Sequence, residues 1–287
     1  MHGRHGGSAG ARATALLAGL SGVFLLVGSL FGVVGLVGAV VLSALIHAYA
    51  WLASDRIVLR AMRAYPVSEA RQPALYRIVR ELSTASRLPM PRLYLSPTAA
   101  PNAFATGRDP RHAVICCTEG LLDLLDEREL RCVLAHEIAH VERRDTLVCS
   151  VAAALATGVL SGAQLSWLLS GDGDDDGGGI AGAVMMLVLG PLAAVLLRMA
   201  VQRSREYDAD VASAALTGDP LGLAAALRAL DRRVRELPLR PEPGLRAASA
   251  LMVVNPFRPD LVGRLFGTHP ATTERVARLE ALAGYRR

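Results

Sequence analysis

Between Arg12 and Asp55 the chain carries no Asp, Glu, Lys or Arg. One straight helix over that run, Ala13 to Ser54, would reach about 60 Å at about 1.5 Å per residue. A hydrocarbon core is about 30 Å thick and is spanned by about 20 residues. Two antiparallel spans therefore fit better than one, with Gly28-Ser29-Leu30-Phe31-Gly32 as the reversal. A cleaved signal peptide is the rival reading, because Arg4 and Arg12 precede the run. Its apolar part would stop after about 7–15 residues, and this one continues far beyond that. Gly28 and Gly32 also fit a G-x-x-x-G packing pattern, but in so Gly-rich a stretch a turn is the better reading.

Two more uncharged runs follow, Thr146 to Gly171 and Gly177 to Leu197, each long enough for a span. Between them lies the acidic, Gly-rich segment 171–179. It lacks the Glu that an EF-hand loop carries at its twelfth position, so it reads as a solvated turn. A helical hairpin buried in a soluble core is the alternative for these two runs. Composition agrees with membrane residence: 52% of residues are hydrophobic, 20% are charged and mean hydropathy is +0.34. Soluble domains hold about 45–50% apolar and about 25% charged residues. A disordered chain is excluded by the same figures, and a small disulfide scaffold by only four Cys in 287 residues.

All 31 basic residues are Arg. They flank the runs at Arg4 and Arg12, at Arg56, Arg60 and Arg63, at Arg143 and Arg144, and at Arg198, Arg203 and Arg205. The segments around Ser29 and Asp174 carry none. By the positive-inside rule both termini and both polar regions are cytoplasmic. The chain then divides into a membrane hairpin (1–54), a first cytoplasmic part (55–145), a second hairpin (146–197) and a second cytoplasmic part (198–287). A nucleic-acid partner is not expected, since these Arg residues mark span ends rather than a binding module. Cys116, Cys117, Cys132 and Cys149 are expected to be unpaired in a reducing compartment.

In the first polar part, Ala70 to Arg87 has helical spacing, with Leu75, Ile78, Val79 and Leu82 on one side. Arg92 to Leu95 and Ala113 to Cys117 read as strands, and Asn102 to Gly107 as a loop or edge strand. Asp126 followed by Glu129 is a capping box that starts a helix. On that helix stands His136-Glu137-Ile138-Ala139-His140. Residues i and i+4 share one face, so both imidazoles can meet one zinc ion. Glu137, about 100° round the axis, stands beside the ion, where it can take a proton from metal-activated water and deliver it to a leaving amine. The bland alternative is a helix with surface His and Glu.

A catalytic zinc needs a third protein ligand and an open position. Position 146 is Thr, so a third His six residues after His140 is missing, and Glu142 is on the wrong face. Glu206 and Asp210 form another i, i+4 pair, but spacing alone does not choose among twelve Glu. His269 could be a turn residue before Pro270, and Arg275 a solvated helix charge. His47 is expected to be a packed or interfacial His, and His2, His5 and His112 show no partner pattern.

Several further stretches complete a pattern: 100–108 around Asn102-Ala103-Phe104, Arg144 to Leu147, Ser204 to Asp210, Val254-Asn255-Pro256, and Thr268-His269-Pro270 with Arg275. In this order they resemble the HtpX family of integral-membrane zinc metalloproteases, relatives of the CAAX prenyl proteases, from about Ser54 to the end. The resemblance implies a mainly α membrane protein: four transmembrane helices with a mostly helical, gluzincin-type protease domain carrying a small β-sheet. It implies one Zn2+ per chain on His136, His140 and Glu206, with Glu137 as general base. Asp210 would orient a ligand, and His269 and Arg275 would steady the charged intermediate. Asn102, Ala103 and Phe104 would bind substrate backbone by strand addition. The implied function is endopeptidase cleavage of misfolded or damaged membrane proteins, with protein substrates and the bilayer as partners, in a bacterial cell membrane. A prenyl-protein processing protease and a non-catalytic zinc scaffold are the alternatives.

Overall fold

The computed structural model describes residues 32–146, 149–152, 203–239, 248–257 and 270–284, and the single positions 18, 21, 22, 25, 29 and 245. Helix α1 (Gly32–Ala61) starts at Gly32, whose φ of 70° suits a residue without Cβ. Ser43 Oγ donates to Ser21 Oγ at 3.0 Å. The two serines stand eleven positions either side of Gly32 (32 − 21 and 43 − 32), which fits a reversal there. The portion Gly32–Tyr49, 18 residues of mean hydropathy 2.0, is long and apolar enough to cross a membrane, and only 11% of it is buried. No other such helix occurs among the described residues. Most of the first expected span and nearly all of the last two lie outside those residues.

Past α1 a four-stranded mixed sheet forms from β1 (Tyr65–Pro66), β2 (Arg92–Ser96), β3 (Ala103–Thr106) and β4 (Val114–Thr118). The order is β1-β2-β4-β3; only the β2–β4 pair is parallel. The apolar run Val114-Ile115-Cys116-Cys117 is buried throughout, as an internal strand covered on both faces must be. Cys116 and Cys117 are free thiols there, and burial pushes both up, Cys117 to about 12. After β3 the chain turns at Gly107, φ 127°, where an added Cβ would stand 2.5 Å from the His112 carbonyl oxygen.

The helices cover the sheet. α2 (Pro73–Ala85) buries Leu75, Ile78, Val79 and Leu82 as the periodicity requires. It is shorter than Ala70 to Arg87 because Pro73 occupies the first turn and Arg87 turns left-handed at φ 56°. A short helix the sequence did not announce, α3 (Glu119–Leu124), is capped by Thr118, which accepts from the Leu121 N–H. Helix α4 (Glu127–Glu142) follows with both halves of its capping box made: Asp126 Oδ1 accepts from Glu129 N–H at 2.7 Å, and Glu129 Oε2 accepts from Asp126 N–H at 3.3 Å. This helix is central, packed against α2, β3, α5 (Arg203–Thr217) and α6 (Pro220–Glu236). That is why Leu130, Val133, Leu134, Ile138 and Val141 are all buried, on more than one face. The small Ala209 lets α5 lie close, and Ser213 Oγ on α5 donates to the Cys132 carbonyl at 2.7 Å. Helix α7 (Thr272–Leu282) closes the far side against α5 and α6.

Candidate active site

His136 and His140 project from one face of α4, their rings edge-on at 4.7 Å between centroids. Their Nε2 atoms are 3.2 Å apart. Glu206, in the first turn of α5, comes to meet them: Oε1 is 3.5 Å from His140 Nε2 and Oε2 is 3.7 Å from His136 Nε2. One ligand atom from each of the three residues lies within 4.8 Å of the others. A tetrahedral ion with bonds of about 2.0–2.1 Å sets neighbouring ligand atoms about 3.3–3.4 Å apart. The three separations fit that span, and two imidazoles with one carboxylate are donors that zinc accepts.

Glu137 is 1% exposed and sits on the flank of this cluster, under the outer edge of β3. The Ala105 backbone N–H hydrogen-bonds its carboxylate, and Oε2 has no hydrogen-bond partner among the described residues. Burial pushes its carboxyl above the usual value, and Glu206 adds to this; His136 and His140 pull the other way. His136 is fully buried, which by itself lowers its ring pKa, but the carboxylates of Asp210 and Glu206, which accept from the ring, outweigh burial and hold it at about 9.

Behind His136 lies a buried ion pair. Asp210 Oδ1 is 3.0 Å from His136 Nδ1, so the neighbouring Nε2 is left for the cluster. Arg275 from α7 holds the same carboxylate with two hydrogen bonds, Nε to Oδ2 at 2.9 Å and Nη2 to Oδ1 at 2.6 Å. Burial pushes the Asp210 carboxyl up, yet the charges of Arg275 and His136 leave it below its ordinary value. Arg275 also donates from Nη1 to the Val253 carbonyl at 2.8 Å, and that nitrogen is 3.4 Å from Glu206 Oε2. Its exposure is 1%. The resemblance implies a role for Arg275 toward a charged intermediate; in the structure its guanidinium hydrogen-bonds Asp210 and Val253 and lies 3.4 Å from the His136 ring nitrogens, with α7 packed against α5.

The edge expected to take substrate backbone is also occupied. Asn102, Ala103 and Phe104 are each at most 1% exposed. The Ala103 carbonyl accepts from Val253 N–H at 3.1 Å, and Phe104 bridges Met252. Asn102 brackets the next peptide, donating from Nδ2 to the Val254 carbonyl at 2.8 Å. A strand added at these three residues would have to displace 252–254. His269 lies outside the described residues. The backbone partners found here, the Ala105 amide and the Val253 carbonyl, carry no signal in residue type, so no sequence pattern could have named them.

The profile of peptidase family M48 matches residues 69–283. A relative named Protease HtpX homolog, from Kineococcus radiotolerans, is 53% identical over 300 residues, covering all of both chains. Another of that name, from Paenarthrobacter aurescens, is 53% identical over 237 residues, covering 83% of this chain and 82% of its own. The crystal structure of S. mikatae Ste24p superposes with a TM-score of 0.51 at 17% identity, over 94% of this chain and 65% of that one, a likeness of fold. The matched span contains the whole His136, His140 and Glu206 cluster with its flanking Glu137, and on these grounds the chain belongs to peptidase family M48 and is a metalloprotease of its HtpX group.

Proposed function

We propose that the chain is a zinc-dependent endopeptidase of a bacterial cell membrane, cutting misfolded or damaged membrane proteins on the cytoplasmic side. The observation that carries the reading is the buried Glu137 carboxylate beside a three-ligand cluster. A purely structural site has no use for a base there. His136, His140 and Glu206 hold the metal. When bound, zinc supplies Lewis acidity, which lowers the pKa of water and polarises a carbonyl.

The protein's own residues do the rest. Glu137 takes the proton from the attacking water and returns it to the leaving amine. The Ala105 amide hydrogen-bonds the carboxylate, and burial raises its proton affinity, which favours taking up a proton from water. Arg275 and Asp210 set the orientation of His136, and His269 is the donor to the developing oxyanion. Asn102 holds 252–254 against β3 and so shapes the wall of the site. Helix α1 supports the membrane assignment, since Val33, Val34 and Leu45 expose most of their surface to whatever surrounds it. Four spans with both termini inside follow from the Arg distribution.

The test is Glu137→Gln in the full chain, purified in detergent and zinc-loaded. The variant should keep one zinc per chain and lose cleavage of an unfolded model protein by at least about 100-fold. Undiminished cleavage would sink the mechanism. Reporter fusions at Asp174 and at the carboxyl terminus test the topology, and a cytoplasmic signal at Asp174 would contradict four spans.

A further inference from the structure

Both histidines of the cluster turn Nε2 inward, so both turn Nδ1 outward. The outward nitrogen of His136 meets Asp210. The outward nitrogen of His140 meets a different carboxylate, Asp145, with Nδ1 at 3.5 Å from Oδ2. Asp145 is 5% exposed, and its Oδ2 has no hydrogen-bond partner among the described residues. Two cations lie within ion-pair distance of it, through nitrogens that make no hydrogen bond among the described residues. Arg205 Nη1 is 3.1 Å from Oδ1, and Arg143 Nε is 3.5 Å from Oδ2. Arg205 is itself buried and stands one residue before Glu206, so the carboxylate is tied to the element that carries the third member of the cluster.

The backbone shows how Asp145 comes to be there. On an uninterrupted helix it would lie five positions past His140, about 140° round the axis and away from the ring. Helix α4 instead stops at Glu142, Arg143 caps it, and Arg144 adopts the left-handed conformation at φ 58°. Glycine usually fills that position. The turn swings Asp145 back towards His140. An unpaired buried carboxylate would be costly, and Arg205 and Arg143 offset that cost.

We propose that Asp145 is a positioning residue for the metal site: its carboxylate, held beside Arg205, faces Nδ1 of His140 and favours the ring orientation that turns Nε2 to the metal. The assignment rests on the reading of His140 as a metal ligand. Each histidine then faces its own aspartate, His136 at 3.0 Å from one on α5 and His140 at 3.5 Å from one in the turn that ends α4. Partners of this kind raise ligand basicity and fix ring orientation, and removing one typically costs 10–100-fold in metal affinity.

The experiment uses the full chain in detergent, with zinc affinity measured by competition against a chromogenic chelator. The visible absorption of the cobalt-substituted protein is recorded alongside. Asp145→Ala should weaken zinc by about 10–100-fold and shift the cobalt bands. Asp145→Asn keeps an acceptor and loses the charge, so its affinity should fall between those of Asp145→Ala and the parent, by roughly three- to tenfold. If Asp145→Ala fails to fold, Asp145→Asn decides alone. Parent affinity with unshifted cobalt bands in Asp145→Asn, or in Asp145→Ala where it folds, overturns the proposal. His140→Ala separates the two levels. If it too binds zinc like the parent, the metal-site reading has failed; if it loses zinc while the Asp145 variants retain it, only the role of Asp145 has failed.

Discussion

Replacing Arg275 by Met separates a residue that holds the site together from one that meets substrate. The side chain is 1% exposed and Asp210 is 3% exposed. Met keeps most of the volume, so the cavity contribution is small. What is lost is the two-pronged ion pair to Asp210 at 2.6 and 2.9 Å and the hydrogen bond to the Val253 carbonyl at 2.8 Å. Breaking one side of a buried pair costs about 3–5 kcal/mol, because the remaining charge is left uncompensated. The orphaned carbonyl adds about 1 kcal/mol or more. His136 remains beside Asp210 and recovers part of this, so about 3–5 kcal/mol is the expected total. For a chain of this size that corresponds to a fall in Tm of roughly 6–20 °C. The assay is thermal unfolding by circular dichroism in detergent, on chelator-treated protein, so that metal loss does not enter. Adding Asp210→Asn to Arg275→Met should restore part of the loss, since the Asp210 charge is then no longer left uncompensated. A residue that served the oxyanion would behave differently, lowering kcat by about 10²–10³ with little change in stability. A Tm within about 2 °C of the parent, together with such a fall in kcat, would refute the positioning role.

Three further outcomes follow from backbone and charge. Gly107→Ala should destabilise by at least about 2 kcal/mol, because φ is 127° and the new Cβ would press on the His112 carbonyl; denaturant unfolding measures it. Arg144→Gly should do the opposite, raising stability by about 0.5–1 kcal/mol, since an exposed non-glycine residue at φ 58° is relieved and only part of the gain is lost to unfolded-chain entropy. Asp210 has its folded-state pKa depressed below 3.8 by Arg275 and His136, which outweigh its burial. Its stabilising share is therefore fully present above its unfolded value and is lost as pH falls through the lower folded value. In chelator-treated protein, Tm should fall more steeply below about pH 4 in the parent than in Asp210→Asn; identical acid limbs would show that Asp210 does not carry this charge linkage.

Local rules made much of the domain legible. The capping box at Asp126 and Glu129, the helical spacing of Leu75, Ile78, Val79 and Leu82, and the apolar run at Val114 each state a short-range relation that backbone geometry converts directly into structure. The same holds for His136 and His140, whose shared face is a property of any helix. Neighbours that come from far along the chain were not legible in such local relations. The substrate edge at Asn102 to Phe104 is covered by 252–254, some 150 residues away, and nothing near Asn102 announces it. Arg275 reads as a surface charge on a short helix until α7 is laid behind α5.

By itself, then, the sequence determined most of the main elements, though not α3, and the pair of histidines, because those depend on turns, caps and spacings of four residues or fewer. Spacing did not choose the third ligand among twelve Glu; the resemblance named Glu206. Tertiary structure decided that Glu206 meets both Nε2 atoms, that Asp210 and Asp145 face the outward nitrogens, and that Arg275 is buried. The physical reason is packing: the small Ala209 lets α5 approach α4, and only that approach, together with the left-handed turn at Arg144, brings these charges within reach of one another.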